Sequence, residues 1–153
     1  VLKFTFLVID MGWSDDLNKI IKRDEASAEK WLRAAVIQAA NVAVIKSAVG
    51  APETWKNPAP PSYPGGGAFR SQWRLSIGVI DMTIKDTIDW SGVLPETASD
   101  ILKFKLGDTL SFTNPSPYAM RLEYDGHSAQ MPDGAARPAI LALKKALNKE
   151  ANK

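Results

Sequence analysis

SAEKWLRAAVIQAANVAVIKSAV, residues 27–49, decides the fold class. Ala28, Trp31, Ala35, Ala39, Val42 and Val49 recur at three-, four- and seven-residue spacing, which predicts a helix over Ser27–Val49. From Ala34 to Ile45 the opposite side is apolar too, through Val36, Ala40 and Val44, so this helix is expected to be buried nearly all round. Its many alanines would let a sheet or another chain approach the backbone closely. Gly50 and Pro52 supply the stop. The apolar stretch Ala34–Ile45 holds Gln38 and Asn41 and is too short for a membrane span, which needs about 20 residues.

Outward from that helix, β signals lie on both sides. Residues 1–9, with Phe4, Thr5, Phe6, Val8 and Ile9, read as a strand, and the run lacks the basic leader and small-residue cleavage site expected of a secretory signal. Asp10–Asp16 is a turn that opens a short helix, Leu17–Arg23. Trp73, Leu75, Ile77 and Val79 alternate with Gln72, Arg74, Ser76 and Gly78, the pattern of a strand with one buried face. Met82, Ile84 and Ile88 suggest a second strand, Glu96–Leu102 a short helix, and Thr109–Thr113 another strand. Ser116–Pro117 opens a helix over Tyr118–Tyr124 that stops at Gly126, and a last helix runs from Arg137 to Lys149. Between the long helix and the Trp73 strand, residues 52–67 hold five prolines and three glycines, which no helix or central strand survives. They read as a projecting arm with Trp55 and Tyr63 as apolar anchors.

This order predicts a single α+β domain over residues 1–153. Its expected architecture is an antiparallel β-sheet packed against one long buried helix, with a short helix, a C-terminal helix and the arm at 52–67.

Composition narrows the chemistry. Nineteen basic against seventeen acidic residues leave a net charge of +2, too little to imply nucleic-acid binding from bulk charge. Without cysteine there are no disulfides, no thiolate catalysis and no Cys-based zinc site. His127 is the only histidine. Gly65–Gly67 is not followed by Lys-Ser/Thr, so it is not a phosphate loop, and no cofactor is expected. The densest polar cluster is Arg121, Glu123, Asp125 and His127, in which His127 could act as a general base oriented by Asp125 or Glu123.

Two segments carry a resemblance. GAFRSQWRLSIG, residues 67–78, and GDTLSFTNPSPYAMRLEYDGHSAQMPDG, residues 107–134, are similar to the tail-completion and neck proteins of tailed bacteriophages, the minor tail protein Z-like group. The matching positions are Arg70 and Trp73 in the first segment. In the second they are Thr113, Asn114, Pro117, Tyr118, Arg121, Leu122, Glu123, Tyr124, Ser128, Gln130, Pro132 and Gly134. Asp125 is an extra residue relative to that pattern, and the arm is longer.

The resemblance implies a structural virion protein without enzymatic activity, made in the host bacterial cytoplasm. It would form a sixfold ring at the head-proximal end of the tail, in contact with the tail tube protein and the head–tail connector proteins. DNA would only pass through the lumen. A ring of this kind forms when one patch meets a different patch on the next subunit and the rotation closes. Trp55, Pro60, Pro61, Tyr63 and Phe69 are then the expected contacts to a neighbouring subunit or neck partner. Arg70, Trp73, Asn114, Pro117, Tyr118, Arg121, Glu123 and Tyr124 are the expected fold corner, with Arg121 and Glu123 as an ion pair. Three alternatives stand beside this: a head-side connector or stopper ring, a small hydrolase using Glu123, Asp125 and His127, and a monomeric adaptor that binds peptide through its Trp55–Tyr63 arm.

Overall fold

The computed structural model describes residues 2–6, 14–50 and 66–152. Along them the chain runs β1 (Leu2–Phe6), α1 (Ser14–Arg23), α2 (Glu25–Lys46), α3 (Ala68–Ser71), β2 (Arg74–Ile77), α4 (Val93–Ile101), β3 (Leu110–Asn114), α5 (Ala119–Tyr124) and α6 (Ala136–Ala151). The three strands form one antiparallel sheet in the order β1-β3-β2. Its Cα register sets Phe112 of β3 between Phe4 of β1 and Leu75 of β2.

Asp24 starts α2. Its backbone is extended, and its carboxylate accepts from the Ala26 N–H at 3.1 Å and the Ser27 hydroxyl at 2.5 Å. This is N-cap chemistry, and both donors hold the Asp24 carboxyl below its usual range, the hydroxyl more strongly. The buried residues of α2 are Ala28, Leu32, Ala35, Val36, Ala39, Ala40, Ala43 and Val44, which make one stripe of neighbours three and four residues apart. On that stripe α6 contributes Ala139, Leu143 and Leu147, while α1 and α4 pack at the flanks. Alanine on both faces lets α2 and α6 approach closely.

Trp73, just ahead of β2, links the helices to the sheet. It is fully buried, stacks on Phe112 at 5.0 Å between ring centres, and donates its indole N–H to the Ser47 hydroxyl at 2.6 Å. Burying an indole of this size removes roughly 200 Å² from water, worth about 5 kcal/mol at 25 cal/mol/Å².

Several expectations are corrected here. The long helix is not buried nearly all round: Ala34, Gln38 and Ile45 are exposed, Ile45 by 60%. Nor does the sheet rest on that one helix, since α2 packs on α6, α4 and α1, and it is α4 that packs on β2. The architecture of a sheet against one long buried helix is therefore replaced by a small sheet beside a cluster of helices.

No strand forms at Met82–Ile88. That segment instead lies along β2 through side chains: the Gln72 amide donates to the Lys85 carbonyl at 2.7 Å and accepts the Lys85 N–H at 2.8 Å. One side chain thus replaces a rung of ladder. With this cover, β2 does not have one wet face, because Arg74 and Ser76 are buried as well. Of the arm expected at 52–67, residues 52–65 lie outside the described residues, while Gly66 and Gly67 are packed against the body of the fold and lead into α3.

Candidate functional site

The two segments that carry the resemblance meet in space. Arg74–Ile77 pairs with Leu110–Thr113 in the sheet, and Trp73 stacks on Phe112. The Asn114 amide donates to the Phe69 carbonyl at 2.8 Å and accepts the Ser116 N–H at 3.1 Å, which turns the chain out of β3 toward α5. Phe69 lies edge-on to Trp73 and 6.0 Å from the ring of Tyr118.

From this corner, side chains reach to the place where the chain leaves α2 and returns to α3. The Arg70 guanidinium donates to the Ser47 carbonyl at 2.6 Å and to the Ile45 carbonyl at 3.1 Å, and lies over Trp90 at 4.7 Å. These carbonyls belong to the end of α2, where free acceptors and a cation suit each other. Partial burial lowers the proton affinity of Arg70 from the ordinary arginine value. The Gln130 carbonyl accepts the Val49 and Gly50 N–H groups at 3.0 and 3.3 Å. The Gly67 N–H donates to the Val49 carbonyl at 2.5 Å. At Gly66 a β-carbon would collide with the Val49 and Gly50 main chain, so only glycine permits this approach. The two ends of segment 51–65 are therefore fastened together by main-chain and side-chain bonds.

The second construction is the α5–α6 corner. Glu123 is 1% exposed. One carboxylate oxygen accepts the Ala135 and Ala136 N–H groups at 2.8 and 3.1 Å, and the other accepts the Arg137 N–H at 3.1 Å. Arg137 also pairs with it through Nε at 3.4 Å and donates to the Glu123 carbonyl at 2.7 Å. A carboxylate at the start of a sixteen-residue helix satisfies free donors and the helix dipole together. Gly134 makes room for it: its φ is +72°, and a β-carbon there would overlap the Glu123 carboxyl group.

Against the residues expected from sequence, the outcome is mixed. Trp55, Pro60, Pro61 and Tyr63 lie outside the described residues. Phe69, expected at an interface, is 4% exposed and belongs to the core of its own chain. Arg70, Trp73, Asn114 and Tyr118 come together as one corner, and Pro117 sits exposed beside them. The ion pair of Glu123 is with Arg137, not Arg121, which is exposed. Tyr124 is 56% exposed and lies under the Arg137 guanidinium. The sequence does not point to Arg137, because its pairing follows from Glu123 capping α6, which no residue at the helix start signals.

The cluster proposed for catalysis is not assembled around Glu123. Its carboxylate is already held by three main-chain N–H groups and Arg137, while Asp125 and His127 are exposed on the loop beyond α5. Among the described residues no group of three or more His, Asp or Glu side chains could hold a metal ion, and no helix is long and apolar enough to cross a membrane. A shallow groove of about 290 Å³ lies between β2 and α4, lined by Leu75, Ile77, Val79, Asp81, Asp100 and Lys103.

No family profile, curated protein or solved structure matches this chain.

Proposed function

We propose that the chain is a structural virion subunit of a tailed bacteriophage, forming a ring at the head-proximal end of the tail that joins it to the DNA-filled head. One observation carries the reading. The segments 67–78 and 107–134, which resemble tail-completion and neck proteins, meet in space, and the polar side chains of the two corners they build fasten the fold. Arg70 and Gln130 hold the ends of segment 51–65, and Glu123 holds α6. A ring subunit needs such a body, rigid where irregular segments meet, so that its surfaces reach neighbours in a fixed orientation.

The test is electron microscopy of lysates from a phage with a nonsense mutation in this gene. Filled heads beside separate tails support a joining role, and overlong tails select the terminator over the head-side connector. Normal infectious particles overturn the reading.

A further inference from the structure

We propose that Asp125–Gly126 is a site of spontaneous backbone rearrangement, where aspartate converts to isoaspartate through a cyclic imide. The fold shields the chain's other Asp-Gly pair, Asp133–Gly134, from the same chemistry. The chain has no Asn-Gly, so at these two pairs alone a reactive side-chain carbonyl precedes a main-chain nitrogen unhindered by a β-carbon.

The surroundings of the two pairs differ. Asp125 and Gly126 are both exposed, just beyond α5. The Asp125 N–H closes that helix on the Arg121 carbonyl at 3.1 Å. Among the described residues, however, neither the Asp125 carbonyl nor the Gly126 N–H has a hydrogen-bond partner. With ψ of Asp125 at 4°, the peptide plane between the two residues must turn before the nitrogen meets Cγ, and no such bond opposes the turn. A β-carbon on Gly126 would meet nothing within 4 Å, so there is room for a ring.

At Asp133–Gly134 the corresponding plane is pinned. The Gly134 N–H donates to the Met131 carbonyl at 3.1 Å. Gly134 is buried and lies against the Glu123 carboxylate that caps α6. Turning this plane breaks a hydrogen bond and disturbs the cap, so the same attack must climb a higher barrier.

In the reaction the Gly126 nitrogen attacks Cγ of Asp125. The new C–N bond forms as the amide proton and the carboxyl hydroxyl leave together as water, which gives a succinimide. Water then reopens the ring at either carbonyl carbon. Attack at Cγ restores aspartate, whereas attack at the former main-chain carbon leaves Gly126 joined through the β-carboxyl group. One water leaves and one returns, so mass and charge are unchanged while the backbone gains one carbon beside α5. Only this chain and water take part, so the chemistry is independent of the neck reading.

The test holds the full chain near neutral pH at body temperature for several weeks, once folded and once unfolded in guanidinium chloride. Peptide mass spectrometry with electron-transfer fragmentation counts isoaspartate at each position, and methylation by an isoaspartate methyltransferase gives the total per chain. In the folded chain position 125 should carry about tenfold more than position 133, the ratio set by a barrier difference of about 1.4 kcal/mol. In the unfolded chain that preference should largely disappear. Asp125→Glu, whose ring would need a sixth member, should leave no such product at 125. Asp125→Asn, from which ammonia leaves in place of water, should react faster at the same position.

Equal extents at 125 and 133 in the folded chain overturn the proposal, as does an excess at 133. So does a folded chain without isoaspartate at 125. A preference for 125 that persists undiminished in guanidinium chloride would assign the selectivity to local sequence and overturn the shielding by the fold.

Discussion

Glu123→Ala should be among the most damaging single substitutions in this fold. It leaves the N–H groups of Ala135, Ala136 and Arg137 without an acceptor in a site that is 1% exposed. Each orphaned buried donor costs about 1–3 kcal/mol, and the space vacated by the carboxylate admits water that serves some of them. The expected loss is about 3–5 kcal/mol. For a chain of this size that is a fall in Tm of about 6–20 °C. Glu123→Gln keeps one carbonyl oxygen but turns an NH2 group toward main-chain donors, at about 2–3 kcal/mol. Arg137→Ala, by contrast, removes a side chain that is half exposed, and should cost only about 1 kcal/mol. Urea unfolding followed by far-UV circular dichroism gives all three values. A loss under about 1 kcal/mol for Glu123→Ala, or a larger loss for Arg137→Ala, would refute the assignment of the carboxylate as the cap of α6.

Gly134→Ala meets the same device from the other side. It must adopt a left-handed backbone, and its β-carbon displaces the Glu123 carboxylate, so a loss of about 3 kcal/mol is expected in the same urea assay. Asp81 gives a pH dependence. The Thr83 N–H and hydroxyl, and then Arg74, hold its carboxyl at about 2, below the ordinary 3.8. Because the folded value is depressed, its contribution is complete above about pH 4 and is lost as pH falls toward 2. The side chain is 52% exposed, so solvent screening reduces that contribution to about 1 kcal/mol. Asp81→Asn should flatten the stability profile between about pH 2 and 4, measured by thermal unfolding across that range. Replacing residues 51–65 by a four-residue Gly-Ser linker should leave unfolding cooperative and raise stability by about 1 kcal/mol through the shorter loop. A collapse of the urea midpoint would show that the segment belongs to the core.

Periodicity disclosed the helices more readily than the surfaces they bury. The α2 pattern is helical by any spacing, yet Ala34 and Ile45 are apolar and exposed, so composition alone made the helix look buried on every side. At Met82–Ile88 the apolar spacing imitates a strand, but Gln72 supplies through its side chain the bonds that a ladder would have made. Nothing in the local sequence announces a side-chain amide acting as a rung.

The α6 start is similar. Ala135 offers no capping side chain, and the acceptor arrives from Glu123, twelve residues earlier, so a search for Ser, Thr, Asp or Asn at the helix start finds nothing. Glu123 stands out in the sequence as part of a charged cluster, and nearness along the chain points to Arg121 as its partner. In the fold Arg137 takes that place, because the helix whose N-terminus the carboxylate caps brings the first-turn arginine with it.

The polar bonds are distributed unevenly, and the distribution bears on what the molecule does. Helix and strand main chains satisfy themselves, so the long-range side-chain bonds of Arg70, Gln72, Asn114, Glu123 and Gln130 go to irregular backbone or helix ends. Buried polar side chains of this kind cost free energy unless they are satisfied, and each is used here to fix a segment that apolar packing could not orient. These groups point into the protein's own main chain. What they leave outward are the groove between β2 and α4 and the fastened ends of segment 51–65. Held in fixed relation by these bonds, such features have orientation as well as chemistry. Orientation is what a subunit contributes when a ring must close rather than continue as a filament.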